Sequence, residues 1–333
     1  MLQVSLQTLV NGFLAFIFPL VTIIIFTPML IKILSKRGSL VEDYHKPDRP
    51  LIPQPGGPVI FIALVLGESI VYVITGANGA LALIFVTAIA GIIGILDDIY
   101  TLGGVLKPTL LIIASFPILI LGTYNFHIEF PIFGDVRLSI IYPILVLLAI
   151  PVTANTVNTI DVLNGAVTGF IAISSIPLIF ALVLKGSIDT ALMVLPLLSV
   201  TLGFFIFHKF PSKIFPGDSG SLSLGALYGA IAIVGGIEII GVVALLPAIL
   251  NSFFFLSSVK RLVEGKTIKK RPVNVLSGNR LEASKNGSAP ITLVRLILAD
   301  GPLLEKEIVQ NILILTAFSS FLAIITAILT WVI

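Results

Sequence analysis

Two adjacent carboxylates, Asp97 and Asp98, follow an uncharged apolar run from Ala80 to Leu96, and Lys107 stands just before the next such run. Neighbouring aspartates repel, and in an apolar chain they are costly unless they face water, protein or a cation. Other polar groups have the same character. Asn155, Asn158, Asp161 and Asn164 recur every three residues at the end of an apolar run, a spacing expected to gather oxygen-bearing side chains towards one face. The stretch Phe215-Pro216-Gly217-Asp218-Ser219-Gly220-Ser221 opens another run, where free backbone N–H groups favour anions. A loop with four prolines, VEDYHKPDRPLIPQPGG over residues 41–57, carries Lys46 and Arg49. Carboxylates, amides and lysines, with Cys absent and no His among the candidate ligands, suit Mg²⁺ or Mn²⁺ acting on phosphates. Such a cation would neutralise phosphate oxygens and the leaving group while lysines hold the rest. Plainer roles compete: an aspartate pair marking a helix exit, Asn, Asp and Asp218 as helix caps, basic residues as topology signals. Capping accounts for one or two of these residues, not for every loop.

The elements that must position them are membrane helices. Hydrophobic residues make up 57% of the 333 residues and charged ones 11%, against roughly 25% charged in a soluble domain. The fold class expected is an all-α polytopic membrane protein, a single domain over residues 1–333. Apolar runs fall at about 10–34, 56–75, 80–96, 108–124, 138–157, 163–184, 188–207, 219–234, 236–259 and 308–332, giving about ten transmembrane helices. The first lacks a basic n-region and a small-residue cleavage site, so it reads as a retained helix. Of twenty Lys and Arg, only Arg137 and Lys185 fall on the side shared by the termini; the other eighteen flank the opposite loops. The positive-inside rule therefore places the polar loops and the site at the cytoplasmic face, with both termini outside. The outer loops, including 125–137, show no motif. The last cytoplasmic loop, 260–307, contains a hairpin expected at 273–276 and 280–283 around Ser277-Gly278-Asn279, then an apolar segment, 290–299, expected to lie against the membrane surface. A net charge of +3 gives no reason to expect a nucleic-acid partner.

These loops, in this order, resemble the polyprenyl-phosphate N-acetylhexosamine-1-phosphate transferase family (glycosyl transferase family 4) over nearly the whole chain. The resemblance implies that Asp97, Asp98 and Lys107 are the catalytic DD motif and its pyrophosphate-binding lysine. It implies that Asn158 and Asp218 ligate Mg²⁺, that Phe215 lies at the uracil and that Asn164 helps bind the nucleoside. Asn155, Asp161 and Lys46 complete the nucleotide-sugar candidates. The triple-histidine motif of the bacterial translocases is absent, since the three histidines are His45, His127 and His208. Residues 280–284 and 291–305 look instead like the last loop of the eukaryotic dolichyl-phosphate GlcNAc-1-phosphotransferase. The basic element that precedes that loop is represented by Lys269, Lys270 and Arg271, and which of them meets the sugar pyrophosphate stays open. Compact loops suggest a prokaryote and the eukaryote-like last loop an archaeon, with the protein in the plasma membrane.

The implied reaction moves GlcNAc-1-phosphate from UDP-GlcNAc to a polyprenyl phosphate, dolichyl phosphate by the last loop, leaving UMP. Direct attack by the lipid phosphate and a covalent route through Asp97 are both open, as are another UDP-sugar, undecaprenyl phosphate as carrier, and a homodimer. A transporter or flippase for a phosphorylated solute would want charges near the midplane and repeat symmetry, whereas only Glu68 and Glu238 fall inside spans.

Overall fold

The computed structural model describes residues 5–260 and 270–332. Helix α1, Leu6–Arg37, starts at Ser5, whose hydroxyl accepts from Thr8 N, and stops at Gly38 in the left-handed conformation. The first polar loop is a two-stranded ribbon, β1 (Leu40–Glu42) antiparallel to β2 (Leu51–Pro53). Helices α2 (Gly57–Thr75) and α3 (Asn78–Tyr100) follow. The next segment is broken: α4 (Leu106–Leu111), one 3₁₀ turn, then α5 (Phe116–Ile120). An antiparallel hairpin, β3 (His127–Phe130) and β4 (Gly134–Arg137), precedes α6 (Ile141–Asn158). Then come α7 (Ala166–Leu184), α8 (Ile188–His208), α9 (Gly217–Gly235), α10 (Glu238–Ala244) and α11 (Leu246–Val259).

The last loop holds β5 (Val273–Val275), β6 (Arg280–Ala283), α12 (Leu293–Ile297) and β7 (Leu303–Leu304), and α13, Glu305–Trp331, closes the chain. The expected hairpin is present, with Val273 opposite Ala283, and gains a third strand in β7, which pairs with β6. The apolar segment is largely the short helix α12, whose Leu293 and Val294 are buried. It is fastened to the bundle by Leu293 N donating to Asn251 Oδ1 at 2.8 Å, while Asn251 Nδ2 donates to Thr159 O at 2.9 Å.

The protein is thus a helical, polytopic membrane protein, and every apolar run of the sequence falls on helix. Length and apolar character alone do not establish all ten expected spans. Among the described residues seven helices (α1, α2, α3, α6, α7, α8 and α13) are long and apolar enough to cross a membrane, or eight if α10 and α11 form one span bent by 69°. Pro247 in the first turn of α11 cannot continue the α10 hydrogen-bond ladder, which accounts for the bend. The 106–120 segment is too short and broken. Helix α9 carries Asp218, Ser219, Ser221 and Ser223, and only Val234 of its nineteen residues is not buried. It is the axis of the bundle, packed against α2, α3, α6, α8 and α10.

Close approach to α9 depends on glycine. A Cβ at Gly94 of α3 would lie 2.4 Å from Ser219 Cα, so α3 touches the α9 backbone itself. This contact brings the end of α3, with its two aspartates, beside the start of α9. Buried small residues replace a hydrophobic driving force as the basis for helix packing in a bilayer.

Candidate active site

The ends of α3 and α6 and the starts of α4 and α9 meet at one end of the bundle. Lys107, in the first turn of α4, is 2% exposed. Its Nζ lies 2.6 Å from Asp97 Oδ2 and 3.0 Å from Asp218 Oδ1, bridging carboxylates that are 121 residues apart. Asp97 Oδ1 also accepts from Leu102 N at 2.5 Å, which fixes the turn after α3. Asn158, the last residue of α6, donates from Nδ2 to Asp218 Oδ1 and to Ser221 Oγ, both at 2.8 Å. A buried ammonium flanked by two carboxylates avoids the cost of an unpaired charge in an apolar interior.

Asp98 has a different task. Its Oδ1 accepts from Asp218 N at 2.8 Å, and its Oδ2 from Ser219 N at 3.0 Å and Ser219 Oγ at 2.5 Å. The α3 aspartate is therefore the N-terminal cap of α9, satisfying donors that a helix start leaves free. Asp218 itself lies inside the first turn of α9. Gly217 makes the geometry accessible: its φ is +72°, and a Cβ there would sit 2.8 Å from Asp98 Oδ1. One aspartate of the pair faces Lys107 while its neighbour orients the helix that presents Asp218.

The expectation that Asn155, Asn158, Asp161 and Asn164 share one face is corrected. Helix α6 ends at Asn158, and turns carry the chain on to α7. Asn155 Nδ2 donates to Pro151 O of its own helix at 2.7 Å. Asp161 Oδ1 lies 3.7 Å from His208 Nε2, and His208 Nδ1 is 3.1 Å from Thr168 Oγ1. Phe215 stands edge-on to the His208 ring, 6.4 Å between centroids, so Asp161 and Phe215 meet through that histidine.

Asn164 belongs to a second buried cluster, in which Asp43 and Glu305 had no role assigned from sequence. Lys46 Nζ pairs with Asp43 and lies 3.0 Å from Glu305 Oε2; Asn164 N donates to Glu305 Oε1 at 2.9 Å and Asn164 Nδ2 to Asp43 Oδ2 at 3.3 Å. The Lys46 ammonium also lies 5.0 Å from the Phe210 ring centroid. This cluster pins the first loop and the α6–α7 turn to the start of α13. The only cue in the sequence was a carboxylate three residues before Lys46, a common surface arrangement. His45, half-buried beside it, has its pKa pushed down to about 4 by burial, aided by the nearby positive charges of Lys46 and Arg271 and opposed by Asp43.

Of the basic trio, Lys269 lies outside the described residues. Lys270 Nζ donates to Ser288 Oγ at 2.5 Å, and the Arg271 guanidinium lies 5.3 Å from the Tyr44 ring centroid. The last loop therefore folds back over the first. Arg295, which sequence passed over, holds the loop's shape by donating to the carbonyls of Ser284, Asn286, Ala289 and Pro290.

The donors around Lys107 are oxygens and amides, the set that hard cations take. Among the described residues no three of His, Cys, Asp and Glu converge as a metal cage. One or two carboxylates completed by water and substrate phosphate is the ordinary coordination of Mg²⁺, so the residues fit that ion in kind. The Asn158 amide would have to turn its oxygen towards it.

The polytopic helical bundle thus gathers carboxylates, a buried lysine and an amide at one end. The profile of glycosyl transferase family 4 matches residues 80–236, from α3 to the end of α9. A Sulfolobus acidocaldarius protein provisionally named UDP-N-acetylglucosamine–dolichyl-phosphate N-acetylglucosaminephosphotransferase is 30% identical over 240 residues, 69% of this chain and 73% of that one. A Saccharolobus solfataricus protein with the same provisional name is 27% identical over 91% of this chain and 92% of its own. The phospho-N-acetylmuramoyl-pentapeptide-transferase of Streptococcus thermophilus is 32% identical over 65% of this chain and 70% of its own. The chain belongs to glycosyl transferase family 4, among the polyprenyl-phosphate hexosamine-1-phosphate transferases.

Proposed function

We propose that this transferase moves GlcNAc-1-phosphate from UDP-GlcNAc to dolichyl phosphate at the cytoplasmic face of an archaeal plasma membrane, with both termini outside. The carrying observation is the buried ammonium of Lys107 held between Asp97 and Asp218, with Asn158 alongside. The archaeal relatives' names and the absence of a triple-histidine motif favour GlcNAc and dolichyl phosphate over the alternatives, another UDP-sugar or undecaprenyl phosphate.

In the reaction an oxygen of the lipid phosphate attacks the sugar-linked β-phosphorus. The bond from that phosphorus to the bridging oxygen breaks, and UMP leaves with the electron pair. Asp97 holds the acceptor and takes its proton where the phosphate arrives protonated. Lys107 neutralises the pyrophosphate as charge develops. Asp98 acts through α9, keeping Asp218 on the same line as Asn158. Those two residues would hold Mg²⁺, which supplies charge neutralisation on the phosphates when bound. Phe215 and Asn164 serve the nucleoside, with Lys270 or Arg271 meeting the sugar phosphate.

The test is a matrix of radiolabelled UDP-GlcNAc, UDP-GalNAc and UDP-MurNAc-pentapeptide against dolichyl and undecaprenyl phosphate, using purified protein. Label should pass to lipid fastest from UDP-GlcNAc to dolichyl phosphate, with UMP released in equal amount. Faster transfer from another donor overturns the substrate, and no lipid product from any pair overturns the reaction. For orientation, the chain lacks Cys, so single cysteines can be introduced. A cysteine at Lys185 should react with an impermeant thiol reagent outside intact cells, and one at Gly278 only after the membrane is opened; the reverse pattern inverts the topology.

A further inference from the structure

At the end of the bundle away from the carboxylates, the β3–β4 hairpin has one charged face and an apolar tip. Strand alternation puts His127, Glu129, Asp135 and Arg137 on one side, and Ile128, Phe130 and Val136 on the other. The polar side is fully engaged. His127 Nδ1 lies 2.5 Å from Asp135 Oδ2, Arg137 Nε donates to Ser139 Oγ at 3.0 Å, and Glu129 receives Lys185 at 3.1 Å and the Trp331 indole N–H. The tip between the strands is Pro131-Ile132-Phe133, in which Ile132 is 75% and Phe133 86% exposed.

The tip is also strained. Phe133 N donates to Pro131 O at 2.8 Å, closing a three-residue turn around Ile132, whose φ is +69°. This is the rare, strained form of the γ-turn, and a β-branched residue is the least suited to it. Gly or Asn would sit there without that cost, and a water-facing tip would gain from either. An isoleucine kept in that conformation, followed by phenylalanine, marks a tip whose surroundings are apolar.

Its neighbours say which apolar surroundings. Ile120 at the end of α5 and Ile140 just before α6, on the two segments that flank the hairpin, are likewise 78% and 84% exposed. Glu129, one residue pair from the tip, is tied to Trp331 and Lys185, residue types that mark the membrane–water boundary. The tip therefore lies within one residue pair of the level those two side chains mark.

We infer that the β3–β4 hairpin is a lipid anchor, inserting Ile132 and Phe133 into the leaflet opposite the active site with its charged face in water. This inference does not depend on the proposed substrate. Because the chain has no cysteine, nitroxide labels can be placed singly in Phe133→Cys, Ile132→Cys and, as a water-side control, Asp135→Cys. Each purified variant is reconstituted in phosphatidylcholine vesicles, with a circular dichroism spectrum matching that of the parent as the check on folding. Labels at 133 and 132 should relax faster with oxygen, which concentrates in lipid, than with a water-soluble nickel chelate, and the label at 135 should show the opposite order. Nickel access at 133 equal to that at 135 overturns the inference. Shielding of 133 from both agents also overturns it, in favour of a contact with a second copy of the chain.

Discussion

Replacing Lys107 with methionine removes one charge from the centre of the site and almost nothing of its volume. Because Asp97 and Asp218 both touch Nζ, at 2.6 and 3.0 Å, their facing oxygens are at most about 6 Å apart. Two unit charges at that spacing, with an effective dielectric constant of about 20, repel by roughly 3 kcal/mol. Loss of one partner from a buried ion pair costs on the same scale, about 3–5 kcal/mol. Lys107→Met should therefore unfold at a clearly lower temperature than the parent protein in detergent containing EDTA. The vacated gap is lined by oxygens, so Mg²⁺ should restore stability: at a concentration one hundred times its Kd the gain is about 2.7 kcal/mol. The parent, whose lysine already fills the gap, should gain less. The assay is thermal unfolding of both proteins across a Mg²⁺ titration, with Na⁺ at matched ionic strength as control. Turnover should stay low in the variant even where stability recovers, because the pyrophosphate has lost its lysine. Equal melting of the two proteins in EDTA, or equal Mg²⁺ responses, would refute the bridging role.

Asp218→Asn keeps size but removes the charge that faces Lys107, and turnover should fall about 10²-fold or more in a protein that circular dichroism shows to be folded; normal turnover would remove Asp218 from the chemistry. Asp98→Ala withdraws the acceptor from three donors at the start of α9, so it should cost about 1–3 kcal/mol in stability. It should also lower turnover without changing the order of nucleotide-sugar preference, and a change in that order, read from donor competition, would mean that Asp98 touches substrate. Burial holds His45 near pH 4 against an ordinary 6.5, so the unfolded chain binds a proton that the folded one does not between those values. Its contribution is complete above about pH 6.5 and shrinks as pH falls towards 4; His45→Asn should flatten the decline in melting temperature over that window, and an unchanged slope would refute it.

Much of the site was legible because its residues sit where charge is expensive. Asp97, Lys107 and Asp218 stand out against apolar runs, and their meeting follows from running α3, α4 and α9 to the same end of the bundle. What could not be read was direction. Spacing of three residues suggested that Asn155 to Asn164 share a helix face, but α6 stops at Asn158 and each side chain then finds a separate partner. Capping was read as local, with Asp218 the obvious candidate, whereas the cap of α9 comes from a helix more than a hundred residues earlier. Such a tertiary cap leaves no spacing in sequence. Asp43 and Glu305 were invisible for the same reason. The β3–β4 hairpin carries a period-two signal, since His127-Ile128-Glu129-Phe130 and Asp135-Val136-Arg137 alternate strictly, but each run is too short to stand out beside the long apolar helices.

Helix α9 is held at both ends, by Asp98 at its start and by Lys185 Nζ on the carbonyls of Gly235 and Gly236 at its finish. Between those ends it is enclosed by other helices. A helix that meets no lipid has no hydrophobic length to match to the bilayer. When membrane thickness changes with temperature or lipid composition, the adjustment falls on helices with lipid-facing surfaces, such as α1 and α13, which can tilt. The spacing among Asp97, Lys107 and Asp218 is set by the contact of α3 with the α9 backbone, a distance that does not stretch. The spacing of these three side chains is thereby decoupled from the physical state of the surrounding membrane.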